Sequence, residues 1–271
     1  MSRRKTSRPT GPYLTRMYAV PDRLDGREGF PLSLPFVRTL DLDLDRPVTF
    51  FVGENGTGKS TLLEAIAELS GFHSTGGGRH DLSDHPGVQH EERSSLAPVL
   101  RPSFRQRPRD GFFFRAETFV NFASLLDLRN EDPDFNDGDG PCNPYARYGG
   151  ESLHGRSHGE AFLQVFEHRV GAGLFLLDEP EAALSPQRQL ALLRLMWMLV
   201  EEGGTQLVIA THAPVLLTFP GARIVDFDDP ALPFVDLEAT RHYQVTKGIL
   251  DSPERYWKHL QAEEPDASDR S

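Results

Sequence analysis

The apolar positions of this chain fall into short runs with two different periods, and the runs alternate along most of its length. Val48, Phe50, Phe51 and Val52 form a nearly continuous apolar segment that stops at Gly53, which predicts a strand buried on both faces. Leu62, Leu63, Ile66, Ala67 and Leu69 then recur at helical spacing up to Gly71, where a helix should end. The run GFFFR from Gly111 reads as a second buried strand, and Phe119, Phe122, Leu125 and Leu126 make one face of a helix over 118–129. A further helix opens at Ser157, carries Phe162, Val165, Phe166 and Val170, and stops at Gly171. The strand GLFLLD over 173–178 follows it. Next comes a helix with Ser185 as N-cap, Pro186 in its first turn, Leu190, Leu193, Trp197 and Val200 as its core stripe, and Gly203 and Gly204 as its stop. The strand QLVIA occupies 206–210. Ile224, Val225 and Phe227, then Phe234, Val235 and Leu237, predict two edge strands, and a last helix spans about Pro253 to Leu260. Near the start, Leu40, Leu42 and Leu44 alternate with Asp41, Asp43 and Asp45, the pattern of a half-buried antiparallel strand added before the first buried one. Strands alternating with helices predict an α/β fold with a mostly parallel sheet.

The junction between the first buried strand and its helix carries the most specific chemistry. Gly53, Glu54, Asn55, Gly56, Thr57, Gly58, Lys59 and Ser60 fit G-x-x-x-x-G-K-[ST], followed by Thr61. In such a loop successive backbone N–H groups wrap phosphates, the lysine reaches the outer phosphates and the hydroxyl can ligate Mg²⁺. The strand before it and the helix after it are the context that the motif requires, and they place the anion at a helix N-terminus. The expected ligand is a nucleoside triphosphate.

Other polar residues stand at the carboxyl ends of buried strands, where a doubly wound sheet keeps its ligand crevice. Asp178 and Glu179 end GLFLLDE. The first can reach a Mg²⁺ ion held by Ser60, and the second can face a water attacking the outer phosphate. Thr211 and His212 follow QLVIA on the same edge, which makes His212 a candidate catalytic residue beside Glu179 and Lys59. Ser157 and Glu160 also form an S-x-x-E capping box, which by itself accounts for those two residues.

Composition narrows the setting. The chain has 271 residues, a net charge of −11 and a single cysteine, Cys142. The acidic balance argues against a surface that tracks nucleic acid everywhere. The lone cysteine and the absence of an apolar run of spanning length predict a cytoplasmic chain without a transmembrane segment. MSRRKTSRPT has no apolar core of a leader and reads as part of a disordered basic tail over 1–12, balanced by an acidic tail over 263–271. Between them, 13–262 reads as one domain, with a core lobe over 13–72 and 158–262 and a loop-rich insertion over 73–157. The insertion holds His73, His80, His85 and His90 at spacings that match no compact metal site, and the arginines Arg101, Arg105, Arg107 and Arg109 around Phe104, which could meet a nucleic-acid backbone. It also holds an aspartate-rich run, Asp132 to Asp139, without the closing glutamate of a calcium loop. The aspartates 41, 43 and 45 read as a solvated face rather than a metal site.

With these residues together, the chain resembles the ATP-binding-cassette ATPases, in particular the soluble branch shared with chromosome-maintenance and break-repair ATPase heads, over most of 36–227. GENGTGKS resembles the Walker A loop, SHGE the signature motif, LFLLDEP the Walker B strand with its catalytic glutamate, ALSP the D-loop, and His212 the switch histidine. The resemblance implies a P-loop ATPase head with added antiparallel N-terminal strands and a helical insertion lobe, using ATP and Mg²⁺. It also implies that Ser157 and Gly159 contact the outer phosphate of a nucleotide held by a second copy, so that ATP joins two heads. Two positions depart from the family pattern. His158 stands where a small residue is usual, and the Q-loop glutamine is replaced by either Arg115 or Glu117.

Rival classes lack their marks. No N-K-x-D guanine reader is present, and 60–156 has no sustained heptads for a long coiled-coil arm. Three roles remain: a free-standing ATPase of DNA maintenance or defence acting on a nucleic-acid or protein partner through the insertion, the ATP-binding subunit of a membrane transporter, and an ATP-gated interaction module with little turnover.

Overall fold

Strand β3 (Val48–Val52) is buried at every position, and so are β6 (Gly173–Asp178) and β7 (Thr205–Ala210). Such runs are stable only with both sheet faces covered. In the computed structural model they lie in a sheet of order β5-β6-β7-β3-β8-β9, where β5 is Gly111–Arg115, β8 is Arg223–Asp226 and β9 is Phe234–Val235. The pairings from β5 to β8 are parallel, and β9 runs antiparallel to β8. The structure describes residues 11–72, 95–117, 119–131, 143–155 and 157–261. The N-terminal residues 1–10, His73, His80, His85 and His90, the aspartate run 132–139, Cys142 and the acidic end 262–271 lie outside the described residues.

Alternate strand residues face opposite sides, and each side has its own core. Phe51, Phe113, Leu176 and Val208 pack on one face with Leu62, Leu63 and Ile66 of helix α1 (Lys59–Ser70). Phe50, Phe114, Leu177 and Ile209 pack on the other face. There they meet Ala123 and Leu126 of α2 (Phe119–Glu131), Phe162 and Phe166 of α3 (His158–Arg169), and Leu192 and Met196 of α4 (Pro186–Glu202).

The structure rotates one expected helix face. Leu190 and Trp197 of α4, expected in the core stripe, are 59% and 46% exposed, while Gln189, Leu192 and Met196 are buried. The segment LALLRLMWMLV is apolar nearly all round, so helical spacing alone fits more than one face.

Two further elements carried no strong pattern. β4 (Leu100–Phe104) lies in a span that reads as loop, with Pro102 and two polar residues in five. It forms an edge of a second antiparallel sheet, β2-β1-β4, with β1 (Leu14–Ala19) in the middle and β2 (Asp41–Asp43) on the other side. Proline is tolerated at such an edge. Leu40, Leu42 and Leu44 are buried there and Asp41, Asp43 and Asp45 exposed, as their alternation predicts. Residues 95–117, within the span assigned by sequence to the insertion, thus supply a strand to each sheet. Helix α5 (Arg241–Asp251) precedes the expected C-terminal helix, α6 (Pro253–Gln261).

One buried amide joins the two sheets. Gln206 of β7 is 0% exposed; its Oε1 accepts from the N–H groups of Tyr13 and Leu14, each at 2.8 Å, and its Nε2 donates to Leu14 O and Leu44 O, each at 2.8 Å. Replacing it would strand several buried backbone groups, each costing about 1–3 kcal/mol. Gln206→Leu is therefore expected to lower stability by about 3 kcal/mol or more in urea melts and to remove hydrogen-exchange protection selectively at Tyr13 and Leu14. A loss below about 0.5 kcal/mol would show that the apolar contacts hold the sheets together without it.

Candidate functional site

Strand register assembles the site. Arg115 pairs with Asp178, Asp178 with Ala210, Ala210 with Phe51, and Phe51 with Val225, so five strands finish at nearly one level. The ladder continues one step beyond them: Glu179 N–H donates to Ala210 O at 3.0 Å, Thr211 N–H to Phe51 O at 3.1 Å, and Phe227 N–H to Val52 O at 2.7 Å. Gly53, Glu179 and Thr211 therefore emerge side by side.

From β3 the chain turns through residues 53–58 into α1. Gly58 has φ +97°, and a Cβ there would stand 2.8 Å from both Leu34 Cδ1 and Phe36 Cε1, so backbone conformation and space both require glycine. Asp228 holds the loop from the side by accepting from Glu54 N–H at 2.7 Å. Lys59 is 5% exposed and donates to Gly53 O at 2.7 Å and Glu54 O at 2.8 Å. Burial lowers its pKa, and the carboxylates of Glu179, Asp228, Asp178 and Glu181 pull it back up. The ammonium thus sits over the loop among several acids.

Ser60, in the first turn of α1, donates its hydroxyl to Asp178 Oδ1 at 2.8 Å. A hydroxyl and a carboxylate at the mouth of a phosphate-type loop are hard oxygen donors suited to Mg²⁺, which keeps waters and substrate oxygens for its remaining positions. Among the described residues no group of three or more His, Cys, Asp or Glu side chains could hold a metal alone. A shared site of that kind fits the donors present. Asp178 is pushed up to about 6, first by burial, against the opposing pull of Ser60 and Arg115.

Arg115 answers the question left open at the Q-loop position. It is 7% exposed, donates to Glu64 of α1 at 2.5 Å and lies 3.6 Å from Asp178, whereas the Glu117 side chain is 78% exposed and 3.7 Å from Arg115. Arg115 is the one facing the site.

Glu179 adopts φ 50°, ψ 51°, left-handed backbone that costs a non-glycine residue free energy and clusters at functional sites. Its Oε1 lies 3.4 Å from His212 Nε2. His212 N–H donates to Glu181 Oε1 at 2.5 Å, and its Nδ1 meets His242 Nε2 of α5 at 2.9 Å. Burial holds the His212 imidazole below its ordinary pKa, with the charges of Lys59 and His242 acting in the same sense and Glu179 opposing. Burial likewise raises Glu181. Sequence reasoning missed Glu181 and His242. Glu181 was visible as the third acid of DEPE, but nothing marked His242, which lies 30 residues beyond its partner.

The structure therefore brings together Lys59, Ser60, Asp178, Glu179 and His212. Ser157 and Gly159 stand apart at the start of α3. Glu160 Oε2 accepts from Ser157 N–H at 3.1 Å, as in the expected capping box, and also from the Ser157 hydroxyl at 2.8 Å. Arg188 of α4 donates to Glu160 Oε1 at 2.8 Å, and a Cβ on Gly159 would lie 2.7 Å from Ala183 O, so this helix start is packed against the turn that follows Glu179. Among the described residues no hydrogen bond or ion pair joins Ser157 or Gly159 to the loop or to the acid pair in the same chain.

Residues 33–94 match a family model described as "AAA domain", and residues 161–218 match another "AAA domain" model whose description names the AbiEii toxin and a Type IV TA system. Each covers less than half of the chain. No curated protein matches it. Solved structures similar to it include an ATP-binding cassette of an ABC transporter, at 14% identity, 92% of this chain, 99% of that chain and TM-score 0.48. Another is cbiO1 from Clostridium perfringens, part of the ABC transporter complex cbiONQ, at 15% identity, 92% of this chain, 99% of that chain and TM-score 0.46. A third is the SMC head domain from Thermotoga maritima, at 13% identity, 83% of this chain, 99% of that chain and TM-score 0.41. Sheet order and loop position give an α/β P-loop fold, and the two AAA-domain models match parts of it. No helix among the described residues is long and apolar enough to cross a membrane.

The Asp178 environment generates a test. An acid whose folded pKa lies above its unfolded value of 3.8 favours the fold below that pH, and the benefit is lost as pH rises toward 6. At pH 7 the buried carboxylate costs the resting fold roughly 3 kcal/mol relative to a neutral side chain. Asp178→Asn should therefore melt no lower than wild type at pH 7 without nucleotide, and its advantage should shrink at pH 5. The same variant should lose the Mg²⁺-dependent part of ATP binding and keep the part that persists in a chelator. An equal loss with and without chelator would make Asp178 a structural aspartate.

Proposed function

We propose that this chain binds ATP with Mg²⁺ and hydrolyses it to ADP and phosphate, in a dimer whose two heads enclose the nucleotide. The observation that carries the reading is the convergence, at one sheet edge, of the Ser60 to Asp178 hydrogen bond at 2.8 Å and the Glu179 to His212 contact at 3.4 Å beside the Lys59 loop. The loop amides from Gly53 to Thr61 would hold the phosphates, with Lys59 against the outer ones. Ser60 and Asp178 would hold Mg²⁺, which when bound neutralises charge on the outer phosphates. Glu179 accepts the proton of, or orients, the attacking water, and His212 presents its imidazole between that carboxylate and the outer phosphate. Ser157 and Gly159 serve the nucleotide of a second copy. Their place at the start of α3, packed against the turn after Glu179, supports this placement.

The biological setting we favour is a soluble ATPase of DNA maintenance or defence rather than a transporter subunit. The AbiEii toxin and Type IV TA system in the description of the model matching 161–218 lean toward defence. A nucleic acid or protein partner would be engaged through the 73–150 insertion, apart from β4 and β5, which belong to the two sheets.

Two variants test the reading. A carboxylate that activates water is worth about 10²–10⁴ in rate. Glu179→Gln keeps the shape of the side chain, so steady-state phosphate release should fall by about that factor while ATP affinity survives. Because unhydrolysed ATP would hold two heads together, light scattering should find this variant accumulating as a nucleotide-loaded dimer. Turnover within a few-fold of wild type, or loss of ATP affinity along with turnover, would overturn the assignment. Ser157→Ala removes part of the capping box, a cost of about 1 kcal/mol. On the proposed reading it should also abolish ATP-driven dimerisation, and a mildly destabilised variant that still dimerises would leave Ser157 as a cap alone.

A further inference from the structure

We propose that His242, on the first turn of α5, is a positioning residue for His212: it donates its Nε2–H to His212 Nδ1 and so fixes His212 with its own proton on Nε2, facing Glu179. The inference rests on the hydrolytic reading of that site and adds to it a residue that neither the motifs nor the family models mark.

The geometry begins with the helix start. Thr240 is 1% exposed and caps α5 by accepting from Tyr243 N–H at 3.4 Å, which fixes where the next two side chains point. Arg241 reaches Glu54 of the phosphate-type loop at 3.6 Å, and His242 reaches His212 at 2.9 Å, with ring centroids 4.9 Å apart. One helical turn thus touches both the loop and the histidine. The exposed Arg241 pair contributes little energy. The histidine contact is different, because it decides where a proton resides.

Two neutral imidazoles sharing one hydrogen bond have two arrangements. If His212 donated from Nδ1, its Nε2 would carry a bare lone pair 3.4 Å from the Glu179 carboxylate, and His242 would carry its proton on Nδ1. His242 Nδ1 is buried and has no hydrogen-bond partner. That arrangement would set a lone pair against an anion and leave the His242 Nδ1–H unpaired. If His242 donates instead, its Nδ1 is a bare acceptor, which is better tolerated, and His212 turns an N–H toward Glu179. His212 Nε2 is itself buried without a hydrogen-bond partner, so each arrangement leaves one buried N–H unpaired and that count is even. Charge breaks the tie, because an N–H 3.4 Å from the Glu179 carboxylate is attracted to it and a lone pair at that distance is repelled. The other groups around His212 agree with it. Glu181 holds the backbone N–H at 2.5 Å and leaves the ring alone, and Lys59 disfavours a second positive charge nearby. The group behind a functional imidazole determines which nitrogen carries the proton.

The test uses the full chain, selectively ¹⁵N-labelled at histidine, with His212→Asn identifying the His212 signals. In the nucleotide-free protein the two-bond ¹⁵N–¹H correlations should show His212 protonated on Nε2. His242→Phe keeps a ring and removes the donor. It should lose that single tautomer and lower kcat by about 10–100-fold, the range seen when the group behind a metal-bound histidine is removed, with ATP affinity unchanged. His242→Gln, whose amide can restore a donor, should recover most of the rate. Wild-type His212 protonated on Nδ1 would overturn the inference, as would His242→Phe with an unchanged tautomer and turnover within twofold of wild type. Equal losses of rate and melting temperature in both His242 variants would also overturn it, by making His242 a structural prop. If Glu179→Gln turned over like wild type while His212 showed the expected tautomer, the hydrolytic reading would fail and the hydrogen bond would stand without its catalytic consequence.

Discussion

Everything at this site depends on the strand register at one edge of the parallel sheet. Arg115, Asp178, Ala210, Phe51 and Val225 lie in one row, and the residues just beyond them continue the row with Ala210, Phe51 and Val52 as backbone acceptors. A slip of one residue in any strand would turn its buried side chains to the opposite face. It would also move Asp178 away from Ser60. The two cores on either side of the sheet are thus what hold the carboxylate and the hydroxyl 2.8 Å apart. Gln206 extends that constraint to the N-terminal strands by bonding Tyr13, Leu14 and Leu44 from within β7.

That rigidity supports an arrangement unfavourable in isolation. Glu179 is held in left-handed backbone, Asp178 is buried with a raised pKa, and Glu181 is half-buried beside them. Lys59 and Arg115 are the cations placed among these acids, and both are nearly inaccessible. Arg115 ties Glu64 of α1 to the end of β6, so it reports the spacing between the helix behind the loop and the strand carrying Asp178. A glutamine at that place would offer a neutral amide. An arginine instead adds fixed charge next to the carboxylate, which opposes the upward shift of Asp178 and keeps it closer to the ionised form that a cation requires.

The parts of this structure legible in the sequence are those in which local pattern and chemistry agree. The loop from Gly53 to Ser60 has its own motif, and its flanking strand and helix have unambiguous periods. Asp178, Glu179 and His212 were found because buried parallel strands end abruptly in polar residues, and strand ends point to the crevice. The pattern failed where hydrophobicity lost its direction. Helix α4 is apolar on most sides, so Leu190 and Trp197 could not be told from Leu192 and Met196 by spacing. β4 was hidden because an edge strand needs neither an apolar run nor a full set of backbone donors, and Pro102 discourages the assignment. His242 was hidden for a third reason: its role comes from a contact between α5 and the end of β7, and no local period encodes a contact of that kind.

That contact also bears on how the C-terminal helices relate to the rest of the chain. No residue of α5 is buried, so little apolar packing determines its placement, and its first turn depends on specific polar contacts with the loop and the histidine. An element held this way has low local stability and can respond to a change at the groups it touches. Glu54 belongs to the loop that wraps the phosphates, and His212 faces Glu179. Both anchors of α5 thus lie at the candidate site, whereas the sheet is fixed by apolar packing on its two faces and does not depend on them.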